Sequence, residues 1–215
     1  MNDAAAPPLE PASPPADHRR RVRYLLLSLA VLVLDQGSKW LVESYLPEHD
    51  TFSLVPGLLN FVHVRNTGVA FGLFPAHGDV RGTLLLAGLG FFALAFVFYY
   101  FWNAPLSDRP LLLSLSSIIG GAIGNLVDRL ASGGVTDFID FHFKGYHWHT
   151  FNIADSAITI GIGLMILSSL RPAHAADKAA AETAAPAAAA VAEVAGAAEV
   201  AEVAPAEVPP AGAAG

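Results

Sequence analysis

Four aspartates, Asp128, Asp137, Asp140 and Asp155, and one arginine, Arg129, lie within residues 120–156, a stretch flanked on both sides by apolar runs. Asn125 stands three residues before Asp128, and Asn152 three before Asp155. Residues i and i+3 share a helix face, so each pair can present a carboxylate and an amide to the same point. Carboxylates in or near a bilayer are costly and mark function by default. Several of them together can do acid–base chemistry on a substrate or line a path for ions.

Other chemistries find no support in the sequence. The chain has no cysteine, which removes disulfides, thiolate zinc sites and a cysteine nucleophile. There is no HEXXH and no GxSxG, and GGAIGN at 120–125 lacks the Lys-Ser/Thr of a phosphate loop. His142, His147 and His149 follow no metalloprotease helix spacing, and no metal or other cofactor is expected. The net charge of −7 counts against nucleic acid as a partner.

Each acid has a structural reading beside the catalytic one. Asp128 adjoins Arg129, one turn from Asn125, and reads as a catalytic acid or as a buried ion pair that fixes a helix end. In VTDFIDF, an extended backbone puts Val135, Asp137 and Ile139 on one face and Thr136, Phe138 and Asp140 on the other. An acid sharing a face with two β-branched residues is poorly explained as a solvated charge, whereas Asp140 reads as structural or exposed. Asp155 falls in the first turn of a helix with Asn152 as its cap, where the dipole favours a negative charge by about 0.3–1 kcal/mol. Asp35 lies one turn before Lys39 and reads as an i, i+4 pair.

The elements that carry these residues follow from hydropathy. Of 215 residues, 53% are hydrophobic and only 14% charged, against about 25% charged in a soluble domain. The excess gathers in long runs, predicting a mainly α membrane protein with four transmembrane helices, at about 24–42, 83–102, 111–130 and 151–170. Residues 1–18 read as a disordered tail, 19–171 as the membrane domain, and 172–215 as a low-complexity Ala/Pro/Glu-rich tail. Arg19–Arg23 before an apolar run resembles a signal peptide, but the preceding tail, the missing small-x-small site and the continuing helical pattern argue against cleavage. Between the first two spans, Gly, Pro and Asn punctuate short apolar pieces too irregular to cross lipid. Asn60–Val64 alternates like a strand and Asn66-Thr-Gly68 is turn chemistry, so a small β-containing element outside the hydrocarbon is expected. Gly120 and Gly124, and Ala157 and Gly161, are spaced for close helix approach.

Four spans put both termini on one side, and the Arg19, Arg20, Arg21 and Arg23 cluster assigns that side to the cytoplasm. Asp35, Asp128, Asp137, Asp140 and Asp155 then converge on the outer, periplasmic face. Acids scattered at random over four helices would seldom do so. A small proton- or ion-coupled transporter would instead hold acids at the midplane, beside broken helices, and a non-catalytic scaffold would not need the Asn-x-x-Asp pairs.

These segments together resemble the bacterial lipoprotein signal peptidases, the signal peptidase II family. The matching pieces are DQGSK at Asp35–Lys39, RNTGVAFG at Arg65–Gly72, GGAIGNLVDR at Gly120–Arg129, GGVTDFIDF at Gly133–Phe141 and FNIAD at Phe151–Asp155. Thr136, where Val is common, and Val69, where Ala is common, are departures that remove no polar group. The resemblance covers about residues 24–171. It implies an intramembrane aspartyl endopeptidase of the inner membrane. Such an enzyme removes signal peptides from prolipoproteins, cutting just before the diacylglyceryl-modified cysteine. It implies Asp137 and Asp155 as the catalytic acids. Asn66, Asn125, Arg129, Asn152, Asp35, Lys39 and Asp128 fall on supporting positions. The partners implied are the lipidated prolipoprotein and membrane lipid, with the enzyme acting as a monomer and without cofactor.

Overall fold

A computed structural model of the chain describes residues 15–67 and 80–169, together with Pro186 and Ala189. The N-terminal tail through residue 14, the glycine of the Asn66-Thr-Gly68 turn, most of RNTGVAFG and the C-terminal tail lie outside these residues. Four helices and four strands follow in the order α1 (Pro15–Tyr45), β1 (Thr51–Val55), β2 (Leu59–Asn66), α2 (Val80–Asn103), α3 (Arg109–Ser132), β3 (Val135–Phe143), β4 (Tyr146–His147) and α4 (Ile153–Ser169). Among the described residues, three helices are long and apolar enough to cross a membrane, over His18–Tyr45, Gly82–Asn103 and Arg109–Ser132. The fourth, α4, is apolar but shorter.

Residues 15–18, expected in a disordered tail, belong to α1. The arginine-rich turns favour helix, and Arg21 is held by tertiary contacts. Its Nη1 and Nη2 donate to the carbonyls of Phe101 and Ala104, each at 2.8 Å, at the C-terminal end of α2. Those carbonyls have no intrahelical donors, so a guanidinium satisfies them and the negative end of the dipole together.

The helices carry large apolar residues on their outer faces, and α1 turns polar ones inward. Ser28, Asp35 and Lys39 are buried on α1, while Leu26, Leu29, Val33 and Leu34 face out. On α2, Leu84, Leu85, Phe91, Phe92 and Tyr99 are exposed, and on α4, Ile160, Leu164, Ile166 and Leu167. In water such a surface would be an aggregation hazard; in lipid it is the solvated face.

The central helix is α3, which packs on α1, α2 and α4. Leu112, Leu115, Ile118 and Ile119 meet Val97 and Phe101 of α2 and Ile158 and Met165 of α4. The glycines let backbones touch. A Cβ at Gly120 would stand 2.6 Å from the Ser28 carbonyl oxygen of α1, and one at Gly121 would collide with the Ala154 carbonyl oxygen of α4. The expected close approach at Gly120 and Gly124 is therefore made by α1. Gly161 returns the favour on α4, where a Cβ would meet Ser114 O at 2.9 Å.

The strands form one antiparallel sheet in the order β1-β2-β3-β4. The expected strand at Asn60–Val64 is the middle of β2, and the extended reading of residues 135–141 is β3. Gly133, left-handed at φ 77°, ends α3 and donates its N–H to Arg129 O at 3.1 Å, which turns the chain directly into β3. Beyond β4, Phe151 pairs with Ile139, so the chain entering α4 runs alongside β3.

Candidate active site

The start of α4 is fixed by a reciprocal cap. Asp155 N–H donates to Asn152 Oδ1 at 2.9 Å and Asn152 N–H donates to Asp155 Oδ2 at 3.2 Å, the geometry of a capping box with aspartate as the acid. Because the Phe151–Ile139 bridge holds this cap against β3, Asn152 also reaches Asp137, donating Nδ2 to Oδ1 at 2.7 Å. From the end of β2, Asn66 donates to Asp137 Oδ2 at 2.9 Å. From α3, Asn125 donates to Asp155 Oδ1 at 2.7 Å, while its own Oδ1 accepts from Lys39 Nζ at 3.0 Å and from Asn152 at 3.3 Å. Asp137 and Asp155 are thus brought together, with Asn152 donating to both.

Asp137 is 2% exposed, whereas Asp155 is half-buried. Burial pushes the Asp137 carboxyl well above the ordinary carboxylate range, and the Asp155 charge pushes it further. The Asn66 and Asn152 amides and Lys39 oppose the rise.

A second cluster lies against the first. Lys39 Nζ is 2.8 Å from Asp35 Oδ2 and 2.6 Å from Asp128 Oδ2, and the Lys39 and Asp35 side chains are 3% and 0% exposed. Asp35 Oδ1 accepts the Ala154 N–H at 2.9 Å, one residue before Asp155. A Cβ at Gly124 would collide with Asp35 Oδ2, so only glycine leaves room for this carboxylate. The expected Asp35–Lys39 pair is present, but buried and shared among three helices.

Beside its electrostatic interaction with the adjacent Arg129, Asp128 has partners on α1. Asp128 binds Lys39 and accepts from Gln36 Nε2 at 2.8 Å. Consecutive helix residues point in different directions and do not face each other, so Asp128 turns to α1. Arg129, also buried, reaches back to Asn125 O at 3.5 Å and interacts electrostatically with Asp155, then Asp137, then Asp128. Gln36 went unrecognised in the sequence, although a polar residue beside Asp35 in an apolar run was a signal for it.

Asp140 lies away from this centre, as strand alternation required, but it is 5% exposed. It accepts from Asn60 Nδ2 at 3.0 Å across the β2–β3 register and is met by His147 Nδ1 at 2.9 Å. Its structural reading holds and its exposed reading does not.

A family profile described as Signal peptidase (SPase) II matches residues 27–171. The chain belongs to the signal peptidase II family. Signal peptidase II relatives include the lipoprotein signal peptidase of Solibacter usitatus (strain Ellin6076), 42% identical over 153 residues that cover 70% of this chain and 93% of the relative. That of Desulforapulum autotrophicum is 41% identical over 69% of this chain and 91% of its own, and that of Coxiella burnetii 40% identical over 68% and 89%. A bacterial membrane enzyme solved by the in meso method at 1.9 Å resembles the fold with a TM-score of 0.64. It is 30% identical and covers 71% of this chain and 95% of the solved one. As a signal peptidase II, the protein is a protease, in agreement with the resemblance carried by its motifs.

Proposed function

We propose that this peptidase removes signal peptides from diacylglyceryl-modified prolipoproteins, cutting just before the lipidated cysteine, with Asp137 and Asp155 as the catalytic pair. The observation that carries the assignment is Asn152, whose backbone and side-chain amides donate to one carboxylate each. Asp137, buried and pushed toward its neutral form, holds the proton. Asp155, at a helix N-terminus and bound by Asn125, is the ionised partner. Asp155 takes a proton from water, whose oxygen attacks the scissile carbonyl carbon as Asp137 protonates the carbonyl oxygen. Collapse of the tetrahedral intermediate breaks the C–N bond. Asp155 gives its proton to the leaving amine, and Asp137 recovers one from the hydroxyl. Arg129 supplies positive charge beside the two carboxylates, with Asn66, Asn125 and Asn152 fixing their orientation. Asp35, Lys39 and Asp128 support this constellation from behind. The test is purified protein with lipidated prolipoprotein, read on a gel: cleavage of the lipidated form is expected, and a protein inert toward it would sink the reading. A carrier would place its acids in helix breaks near the midplane, whereas Asp137 stands on a strand and Asp128 and Asp155 in terminal helix turns.

The same reading makes α4 a fourth span, with the protein a monomer in the inner membrane, in contact with lipid, both termini cytoplasmic and the sheet outside. The Arg19–Arg23 cluster supports it. Reporters fused at residue 106 should read as cytoplasmic, and those at 50 and 145 as external. An external signal at 106 would invert the topology. Residues 172–215 lie beyond every matched motif. Removing residues 173–215 should change turnover by less than roughly tenfold, or about 1.4 kcal/mol in the barrier. A larger loss would assign the tail a role.

A further inference from the structure

The β3–β4 hairpin turns through Lys144 and Gly145, both at positive φ, 51° and 81°. Two such residues make the tight hairpin turn whose twist matches the strands. This turn sets His142 directly opposite His147, at a cross-strand separation of about 4.5–5.5 Å between Cβ atoms. Asp140 precedes His142 by two residues and shares its face. One donor atom from each of the three lies within 4.8 Å of the others. His147 Nδ1 is 2.9 Å from Asp140 Oδ1, His142 Nδ1 is 3.6 Å from Asp140 Oδ2, and the two rings stack at 4.9 Å and 15°.

We propose that Asp140, His142 and His147 bind one Zn2+ or a similar first-row divalent cation. Ligand atoms at about 2.0–2.2 Å from a tetrahedral ion stand roughly 3.3–3.6 Å from one another. Asp140 Oδ2 already stands 3.2 Å from His147 Nδ1 and 3.6 Å from His142 Nδ1. Closing on the ion requires the imidazoles to turn toward it and His142 Nδ1 to leave the Asn60 amide, which is 3.4 Å away. Two imidazoles and one carboxylate suit zinc, whereas calcium and magnesium take oxygen sets. The carboxylate is already oriented, since Asn60 donates to Asp140 Oδ2 at 3.0 Å, the outer-shell support that metal ligands need. The side chains of Asp140 and His142 are 7% and 14% exposed, while that of His147, at 58%, leaves a path from solvent. Three protein ligands leave a fourth position for water. The ion would sit on the opposite strand face from Asp137, away from the reacting atoms. Its work would be to pin the hairpin from which the chain runs through the Phe151–Ile139 bridge to Asn152.

The experiment uses the full chain without an affinity tag, stripped with chelator and titrated with Zn2+ by calorimetry. Co2+ is followed in parallel by visible absorption. One equivalent of Zn2+ should bind, melting should shift upward, and excess Mg2+ should not compete. Co2+ should give a tetrahedral spectrum. His142→Gln and His147→Gln should each weaken binding by at least roughly tenfold, and Asp137→Asn and His49→Gln should bind as the parent does. His147 is exposed, so its variant keeps the fold, and its melting without metal should match the parent. No stoichiometric binding would overturn the proposal. So would binding or a cobalt spectrum that survives in the His142→Gln/His147→Gln double variant.

Discussion

Asp137→Asn and Asp155→Asn should each lower turnover of lipidated substrate by about 10³-fold or more, and the double variant should be no slower than either single one. Asparagine keeps the size of the side chain but cannot exchange a proton, so a pair that shares one proton fails from either side. The fold should survive. Asp137→Asn removes one of two acceptors, at about 0.5–1.5 kcal/mol, from the amides donated by Asn66 and Asn152. It also removes a buried charge, and the sign of that effect depends on pH. Because the folded protein raises the Asp137 pKa, the group's contribution to stability is complete below the ordinary carboxylate range. It is lost as pH rises through the raised value. Asp137→Asn has no such loss, so its melting temperature should gain on the parent's as pH rises over that window. Turnover by Asp137→Asn, with Asp128→Asn folded and dead, would instead pair Asp128 with Asp155.

Lys39→Met should be the most destabilising of the polar substitutions. It strands Asp35 and Asp128, whose carboxylates flank Lys39 Nζ at 2.8 and 2.6 Å, without their cation. Breaking a buried ionic cluster by removing one partner costs about 3–5 kcal/mol, or roughly 10 °C of melting for a chain of this size. Adding Asp35→Asn and Asp128→Asn should recover much of the loss, because the uncompensated charges go with them. A Lys39→Met protein that melts like the parent would show that Lys39 does not hold the two carboxylates in place. Asp128→Asn alone should act through Lys39 and Gln36 and also remove one of the three carboxylate charges that Arg129 senses.

What the sequence revealed was whatever depends on neighbours along one element. The Asn152–Asp155 cap follows from an i, i+3 spacing, the Asp35–Lys39 pair from i, i+4, and the two faces of β3 from alternation. Adjacency gave only part of the surroundings of Asp128: beside its electrostatic interaction with Arg129, it binds Lys39 and Gln36 of α1. What needs two elements stayed hidden. No linear spacing brings Lys39 to Asp128, since α1 and α3 must first pack at Gly120 and Gly124. Nor does any helical motif describe Asp140, His142 and His147, which strand pairing aligns across a turn. The long reach of α1 was hidden for the same reason, since Arg21 finds its acceptors eighty residues away.

Asn125 has a consequence for the traffic of protons. It joins the Lys39 cluster to Asp155, accepting from one and donating to the other. An amide transmits orientation through such a link but has no labile proton to hand on at neutral pH. Asn125 is therefore an insulator in the circuit: the ammonium behind it fixes which way its nitrogen points, yet no charge leaks along it to Asp155. Protons used in hydrolysis therefore do not pass through Asn125; they enter and leave by way of water and substrate, and the ionic cluster can keep a constant charge through every turnover.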